Sequence, residues 1–377
     1  MVIEAPIRRS VAKTSDSKID SIQVLRGIAA LIVTIFHLKE LARKDPPFNH
    51  VLDFFFNNGP AGVNLFFIIS GFIMVYITRR SSYSVKDISN FLIKRLIRIW
   101  PTYLIITLLY VFLVWGRNFY SQMDSIVNSL LFIPLTSTDA PFYGYSILPV
   151  GWSLNYEIYF YLLIAVSMIF LKYRWTVFFI IIFVTLIAIP LYFGSFTLNA
   201  ENEYNYGNRY LNLITNPIMW NFVYGIIIGR LFLNKRHFNF LSGIFSIPWI
   251  FYSALAFSVW QYLSGFFGGA GPLQWGLGSS ILFMAFVFYK SKIPQLFPAS
   301  LIHLGNMSFS IYLLHLPVQR IIERIFNVLH VPIYSTGISA LFLSVCMTLI
   351  LSHLSYKYLE VKLSNFIKGM FLKSQAA

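Results

Sequence analysis

Apolar runs long enough to cross a bilayer recur from one end of this chain to the other, and they decide its architecture before any other feature is read. They fall near residues 22–39, 60–78, 99–115, 152–171, 175–194, 211–233, 243–263, 273–290, 306–326 and 335–355. A hydrocarbon core about 30 Å thick takes about 20 helical residues to span. In lipid such a segment must satisfy its own backbone hydrogen bonds, which a helix does. The expected fold is an all-α polytopic membrane protein, a bundle of about ten transmembrane helices. Only 11% of residues are charged and 57% are apolar, against about 25% charged in soluble domains. The run at 126–135 (IVNSLLFIPL) is too short to cross and reads as interfacial or re-entrant.

Of the 29 Lys and Arg residues, 21 fall in segments on one side of such a bundle: 8–18, 79–98, 172–174, 230–236, 290–292 and 357–373. Basic residues accumulate in cytoplasmic loops, so both termini are expected in the cytoplasm. The chain then divides into a cytoplasmic N-terminal tail (1–21), a transmembrane domain (22–360) and a cytoplasmic C-terminal tail (361–377). The net charge of +15 reflects topology and contact with anionic membrane lipids. No basic run comes with a soluble module, so nucleic acid is not an expected partner. A single cysteine, Cys346, excludes an internal disulfide and a thiolate cluster. No H-x-x-x-H or carboxylate cluster offers a metal site. Residues 1–20 lack the apolar core and cleavage site of a signal peptide.

Polar groups inside the spans are costly in lipid and mark candidate sites. Arg26 and His37 lie in one apolar run, IQVLRGIAALIVTIFHL. Eleven helical steps of about 100° place them on one face, roughly 16 Å apart along the axis. Glu157, in PVGWSLNYEIYFYLL, falls at a depth similar to His37. The expected arrangement pairs the two, orienting the imidazole and raising its basicity; the alternative is a structural Glu–Arg or Glu–Tyr contact. Arg95 and Arg98 are i, i+3 neighbours whose planar forks suit a phosphate ligand or, equally, lipid phosphates. Asn64 orients a ligand or joins two helices. Trp152 and Tyr156 flank Glu157, and Tyr312 and His315 share a helix face; with Asn64 they are the candidate substrate-binding residues. The loops at 40–59, 116–151 and 195–210 are rich in Tyr, Phe, Asn and Pro, a composition compatible with a sugar-like ligand. Ser70 is not on a G-x-S-x-G elbow, because Ile68 stands where the first Gly belongs.

Five segments together resemble one known family. These are LRGIAALIVTIFHL with its R-x10-H spacing, GVNLFFIISGF at 62–72, the R-x-x-R of Arg95 and Arg98, GWSLNYEIYFY at 151–161 and SFSIYLLHLPV at 308–318. In this order they resemble the acyltransferase-3 family of integral-membrane O-acyltransferases, which includes bacterial enzymes that acylate exopolysaccharide and lipopolysaccharide. YKYLEVKL at 356–363 is similar to the family's closing segment, although Val361 follows Glu360 where a basic residue is expected.

The resemblance implies an essential histidine at His37 and contacts from Arg95 and Arg98 to the phosphates of acyl-CoA, with cytoplasmic acetyl-CoA the usual donor. It implies a multi-pass protein of the bacterial inner membrane whose acceptor is a carbohydrate or glycolipid. In the expected mechanism Arg26 holds the pantetheine or CoA portion of the donor. His37 then either takes a proton from a sugar hydroxyl or is itself transiently acylated. The competing class is a transporter or flippase for a lipid-linked saccharide. No internal repeat supports it.

Overall fold

The computed structural model describes residues 5–43, 45, 48–204, 206–289 and 297–373, with side chains described from residue 20 to residue 371. Of the basic residues that set the expected topology, Lys44, Lys290 and Lys292 lie outside the described residues. Among the described residues the chain is helical throughout, with no strand.

Helix α1 runs over Ala5–Leu38. The segment expected as a polar tail is therefore helical from residue 5, in keeping with a stretch free of Pro and Gly between Pro6 and Gly27. Two short elements follow it: α2 (Phe48–Phe56), then α3 (Ala61–Thr78). Helix α4 (Val85–Trp115) begins well before its apolar run. Ser84 caps it by accepting from the Asp87 amide at 3.1 Å. Arg95 and Arg98 consequently lie on helix rather than in a loop. The short run near 126–135 forms α5 (Met123–Leu130) and stops there.

Helix α6 (Trp152–Met168) is followed by α7 (Arg174–Phe183), which continues through a π-helical turn at Val184–Ala188 into α8 (Ile189–Tyr192). Pro190, which has no amide hydrogen to donate, sits just beyond that turn. Three later pairs are bent: α9 (Arg209–Thr215) with α10 (Trp220–Leu233), α11 (Lys235–Phe245) with α12 (Pro248–Ser264), and α14 (Ala299–Asn306) with α15 (Ser308–Val328). Their bends, counting the Pro217–Met219 turn with α10, are 42°, 84° and 70°. Helix α13 (Trp275–Phe288) precedes the last pair. Helix α16 (Ile338–Ser355) leads through a π-helical segment, Tyr356–Leu363, into α17 (Ser364–Lys373).

Each expected span falls largely on helix. Among the described residues, five helical stretches are long and apolar enough to cross a membrane, or up to eight if each bent pair is one span.

Two close helix approaches build the centre. A Cβ on Gly71 of α3 would run into the Phe222 carbonyl oxygen of α10, and one on Gly225 would meet the Ile68 carbonyl oxygen. Small residues of this kind let membrane helices touch backbone to backbone. Beside this contact, Phe67 and Phe160 stack on Phe222 at 4.3 and 4.4 Å between ring centroids. At the second approach, Gly305 of α14 lies so close to α1 that a Cβ would strike the Gln23 carbonyl. That contact brings α14 against the turn of α1 that carries Arg26.

Candidate active site

A cavity of about 720 Å³ opens where α1, α3, α4, α6 and α15 converge. Each helix contributes polar groups to it: Arg26, Ser70, the Arg95–Arg98 pair, the Glu157–Tyr161 pair and Tyr312. The i, i+3 spacing of the arginines and the i, i+4 spacing of Glu157 and Tyr161 put each pair on one helix face. Glu157 accepts hydrogen bonds from Tyr161 Oη and, at 3.4 Å, from Ser70 Oγ. Arg26 Nη1 donates to Gln23 Oε1 at 3.2 Å. Arg95 Nε and Nη1 are buried with no hydrogen-bond partner. A guanidinium left this way is expensive. It is a fork waiting for an anion.

Arg26, Arg95 and Arg98 also border a second cavity of about 960 Å³, together with Lys94 of α4, Lys368 of α17 and Glu360. Glu360 accepts from the Ser310 amide at 3.1 Å and from Ser310 Oγ. Five cations thus face one carboxylate that is already engaged. The excess positive charge favours a ligand with several negative charges.

The expected pairing of His37 with Glu157 is not what the structure contains. Glu157 is held by Tyr161 and Ser70, which is the Glu–Tyr alternative, and His37 stacks on His315 with ring centroids 4.9 Å apart. Glu157 shares a cavity with Arg26, on the face of α1 that also carries His37 but roughly 16 Å away along the axis. The expected match in depth therefore does not hold. His37 Nδ1 lies 2.9 Å from the Val33 carbonyl oxygen, and His315 Nδ1 lies 3.3 Å from that of Ile311. A carbonyl only accepts, so each bond assigns the proton to Nδ1 and leaves Nε2 with a free lone pair. His315 is fully buried, and its Nε2 has no partner. Tyr312 stands between these imidazoles and the cavity. It lines the cavity, its hydroxyl meets Ser153 Oγ and the Val150 carbonyl at 2.9 Å each, and its ring lies 6.2 Å from that of His315.

The other candidate binding residues also make contacts to the surrounding scaffold, although Asn64 Oδ1 is buried without a partner. Asn64 Nδ2 donates to the Ala270 carbonyl at 2.8 Å, tying α3 to the loop before α13. Tyr156 is buried and spends its hydroxyl on the Pro141 carbonyl at 2.8 Å. Trp152 packs edge-on to Phe142 at 4.9 Å. In the neighbouring loops Tyr143 donates to the Asn212 carbonyl at 2.9 Å, and burial pushes the Tyr204 phenol up to about 12. Sequence reasoning passed over Tyr161, Lys94, Lys368 and Glu360. Tyr161 alone carried a signal, lying one helical turn beyond a buried carboxylate.

Long apolar helices around a central cavity lined by several cations fit a multi-pass helical membrane protein. The sequence model of an acyltransferase domain matches residues 19–357, and the chain belongs to the acyltransferase-3 family. It is 31% identical over 191 residues to the exopolysaccharide production protein ExoZ of Rhizobium meliloti (strain 1021), covering 48% of this chain and 53% of that protein. It is 22% identical over 365 residues to a protein of Staphylococcus aureus (strain COL) named provisionally as an O-acetyltransferase, covering 89% of this chain and 56% of that protein. The chain therefore spans about half the length of the curated relatives it matches. No solved structure matches it.

Proposed function

We propose that this protein is a membrane O-acyltransferase that moves an acyl group, most readily acetyl, from cytoplasmic acyl-CoA to a hydroxyl of an exported or cell-surface carbohydrate. One observation carries the reading in a chain of this family: Arg95 holds buried, unpartnered N–H groups in a cavity shared with Arg26 and Arg98. Such a cluster suits the phosphates of the donor. The topology that goes with this reading has ten spans and both termini in the cytoplasm of a bacterial cell, so that Lys94 and Lys368 guard the donor entrance.

The pantetheine arm extends from the arginines past Glu157 and Tyr312 toward His37. Val33 holds the His37 proton on Nδ1, so Nε2 is the base. In direct transfer Nε2 takes the hydroxyl proton as the oxygen attacks the thioester carbonyl carbon. The C–S bond breaks, and the CoA sulfur leaves with the proton from the imidazolium. In the relay form Nε2 attacks the carbonyl itself and CoA thiolate departs. The acceptor hydroxyl then attacks the acyl-imidazolium, releasing its proton as the imidazole is regenerated. Glu157 balances charge among the three arginines.

The test is thioester consumption by purified protein supplied with radiolabelled acetyl-CoA and a glycan acceptor. Wild type transfers label and His37→Ala does not. Equal transfer by both overturns the role of His37, and no consumption by wild type overturns the enzyme reading. Mass analysis of His37 after donor alone distinguishes relay from direct transfer.

A further inference from the structure

A third cavity, of about 740 Å³, lies beside the N-terminal turns of α4. Arg95 borders this cavity and both cavities described above, and Lys94 borders this one and the basic one. Three compartments therefore meet at one guanidinium, and their chemistries differ. The first holds Glu157 and Tyr161 with three arginines among apolar side chains, the second carries five cations, and the third adds an amide, an aromatic ring and apolar walls (Asn90, Phe91, Ile77 and Met168) to Arg80, Lys94, Arg95 and Asp87.

Three of the polar groups around the third cavity, Thr78, Ser81 and Asp87, are already committed. Asp87 accepts from the Ser82 amide at 2.7 Å, from Ser82 Oγ at 2.6 Å and from Ser81 Oγ at 3.1 Å. Thr78 donates its hydroxyl to the Met74 carbonyl at 2.8 Å. Asn90 differs from these. Its Oδ1 is buried without a partner, and an orphaned buried amide oxygen costs about 1–3 kcal/mol unless something donates to it.

Resting on the acyl-CoA reading above, we propose that this cavity is the adenine subsite of the donor and that Asn90 reads the base. A carboxamide matches an adenine edge, its oxygen accepting from the 6-amino group and its nitrogen donating to a ring nitrogen. Phe91 and Met168 supply apolar surface for the ring faces. The second compartment is the poorer place for a neutral base, because enclosing one there would strip water from five cations, against three beside Asp87 in the third. The phosphates belong on Lys94, Arg95 and Arg98, and pantetheine belongs in the first cavity. The three parts of one ligand thus match the three compartments.

The experiment measures binding of three probes to the purified full-length protein: CoA, an analogue with hydrogen in place of the 6-amino group of the base, and 4′-phosphopantetheine. Asn90→Leu weakens CoA binding roughly tenfold, the scale of a lost bidentate amide contact, while the affinity for 4′-phosphopantetheine stays near its wild-type value. Wild type prefers CoA to the 6-hydrogen analogue, and Asn90→Leu abolishes that preference. Asn90→Ser, which keeps a polar group but lacks the reach, gives the same pattern if the leucine variant does not fold. Parallel loss of CoA and 4′-phosphopantetheine, or CoA binding indifferent to Asn90 and to the 6-amino group, overturns the subsite alone. A wild-type protein that binds none of the probes overturns the donor reading as well.

Discussion

His37 and His315 stack with ring centroids 4.9 Å apart, and each lends its Nδ1 proton to the carbonyl four residues back on its own helix. Two imidazoles in the same tautomer therefore present free Nε2 atoms within one small volume. Of the two, His37 is the candidate base and His315 a candidate binding residue in the sequence reading, and the geometry makes them immediate neighbours.

His37→Ala is expected to cut transfer by roughly 10²–10⁴-fold, the range for losing a positioned base. His315→Gln, which keeps volume and an acceptor, is expected to lower kcat more than it raises KM for the donor. Steady-state kinetics on the two variants checks both outcomes. Wild-type kcat in His315→Gln would show that the stacking is only packing.

Arg95→Met should separate stability from binding. The free protein sheds two buried guanidinium nitrogens, Nε and Nη1, that lack a partner, so its melting temperature is expected to rise or hold, with a gain of up to about 2 kcal/mol. Donor affinity is expected to fall at least tenfold, and its dependence on salt to weaken with one fewer phosphate contact. Thermal melts with and without CoA read both effects.

Gly71→Ala places a methyl against the Phe222 carbonyl of the facing helix. The expected cost is about 1–3 kcal/mol. Gly225→Ala should cost a similar amount, and the double variant less than the sum, because both press on the same contact. Unfolding in a mild detergent with graded denaturant measures all three.

Lys39 is 6% exposed and forms an ion pair with Asp53 of α2, with a further bond to Asn57 Oδ1 at 3.0 Å. Asp53 itself is 59% exposed, so solvent screens the pair and Asp53→Asn should cost about 1 kcal/mol or less. Faster amide exchange confined to α2, with little change in global stability, is the expected signature.

Much of this architecture can be read from the chain itself. Long apolar runs specify helices because lipid leaves the backbone no other partner, and every expected span falls largely on one. The meeting of Arg26 with Arg95 and Arg98 follows from their positions toward the same end of their apolar runs. What escapes the sequence is depth and return. Span boundaries counted on ideal helices put Glu157 level with His37, and only packing sets it beside Arg26 and Tyr161. Lys368 and Glu360 reach the arginines from the far end of the chain, through a π-helical segment whose offset no periodicity announces. Asn64 and Tyr156 are polar at promising depths, where the Asn64 amide nitrogen and the Tyr156 hydroxyl meet loop carbonyls and Asn64 Oδ1 keeps no partner.

The Tyr312 hydroxyl, joined to Ser153 and Val150, bears on a different demand. A protein that draws five cations into a bilayer-crossing bundle risks becoming a leak for anions and protons. By stitching α15 to the start of α6 beside the imidazole pair, Tyr312 fixes one wall of the cationic cavity. In the proposed reaction, that wall is what keeps a passage for a carbonyl group from widening into one for ions.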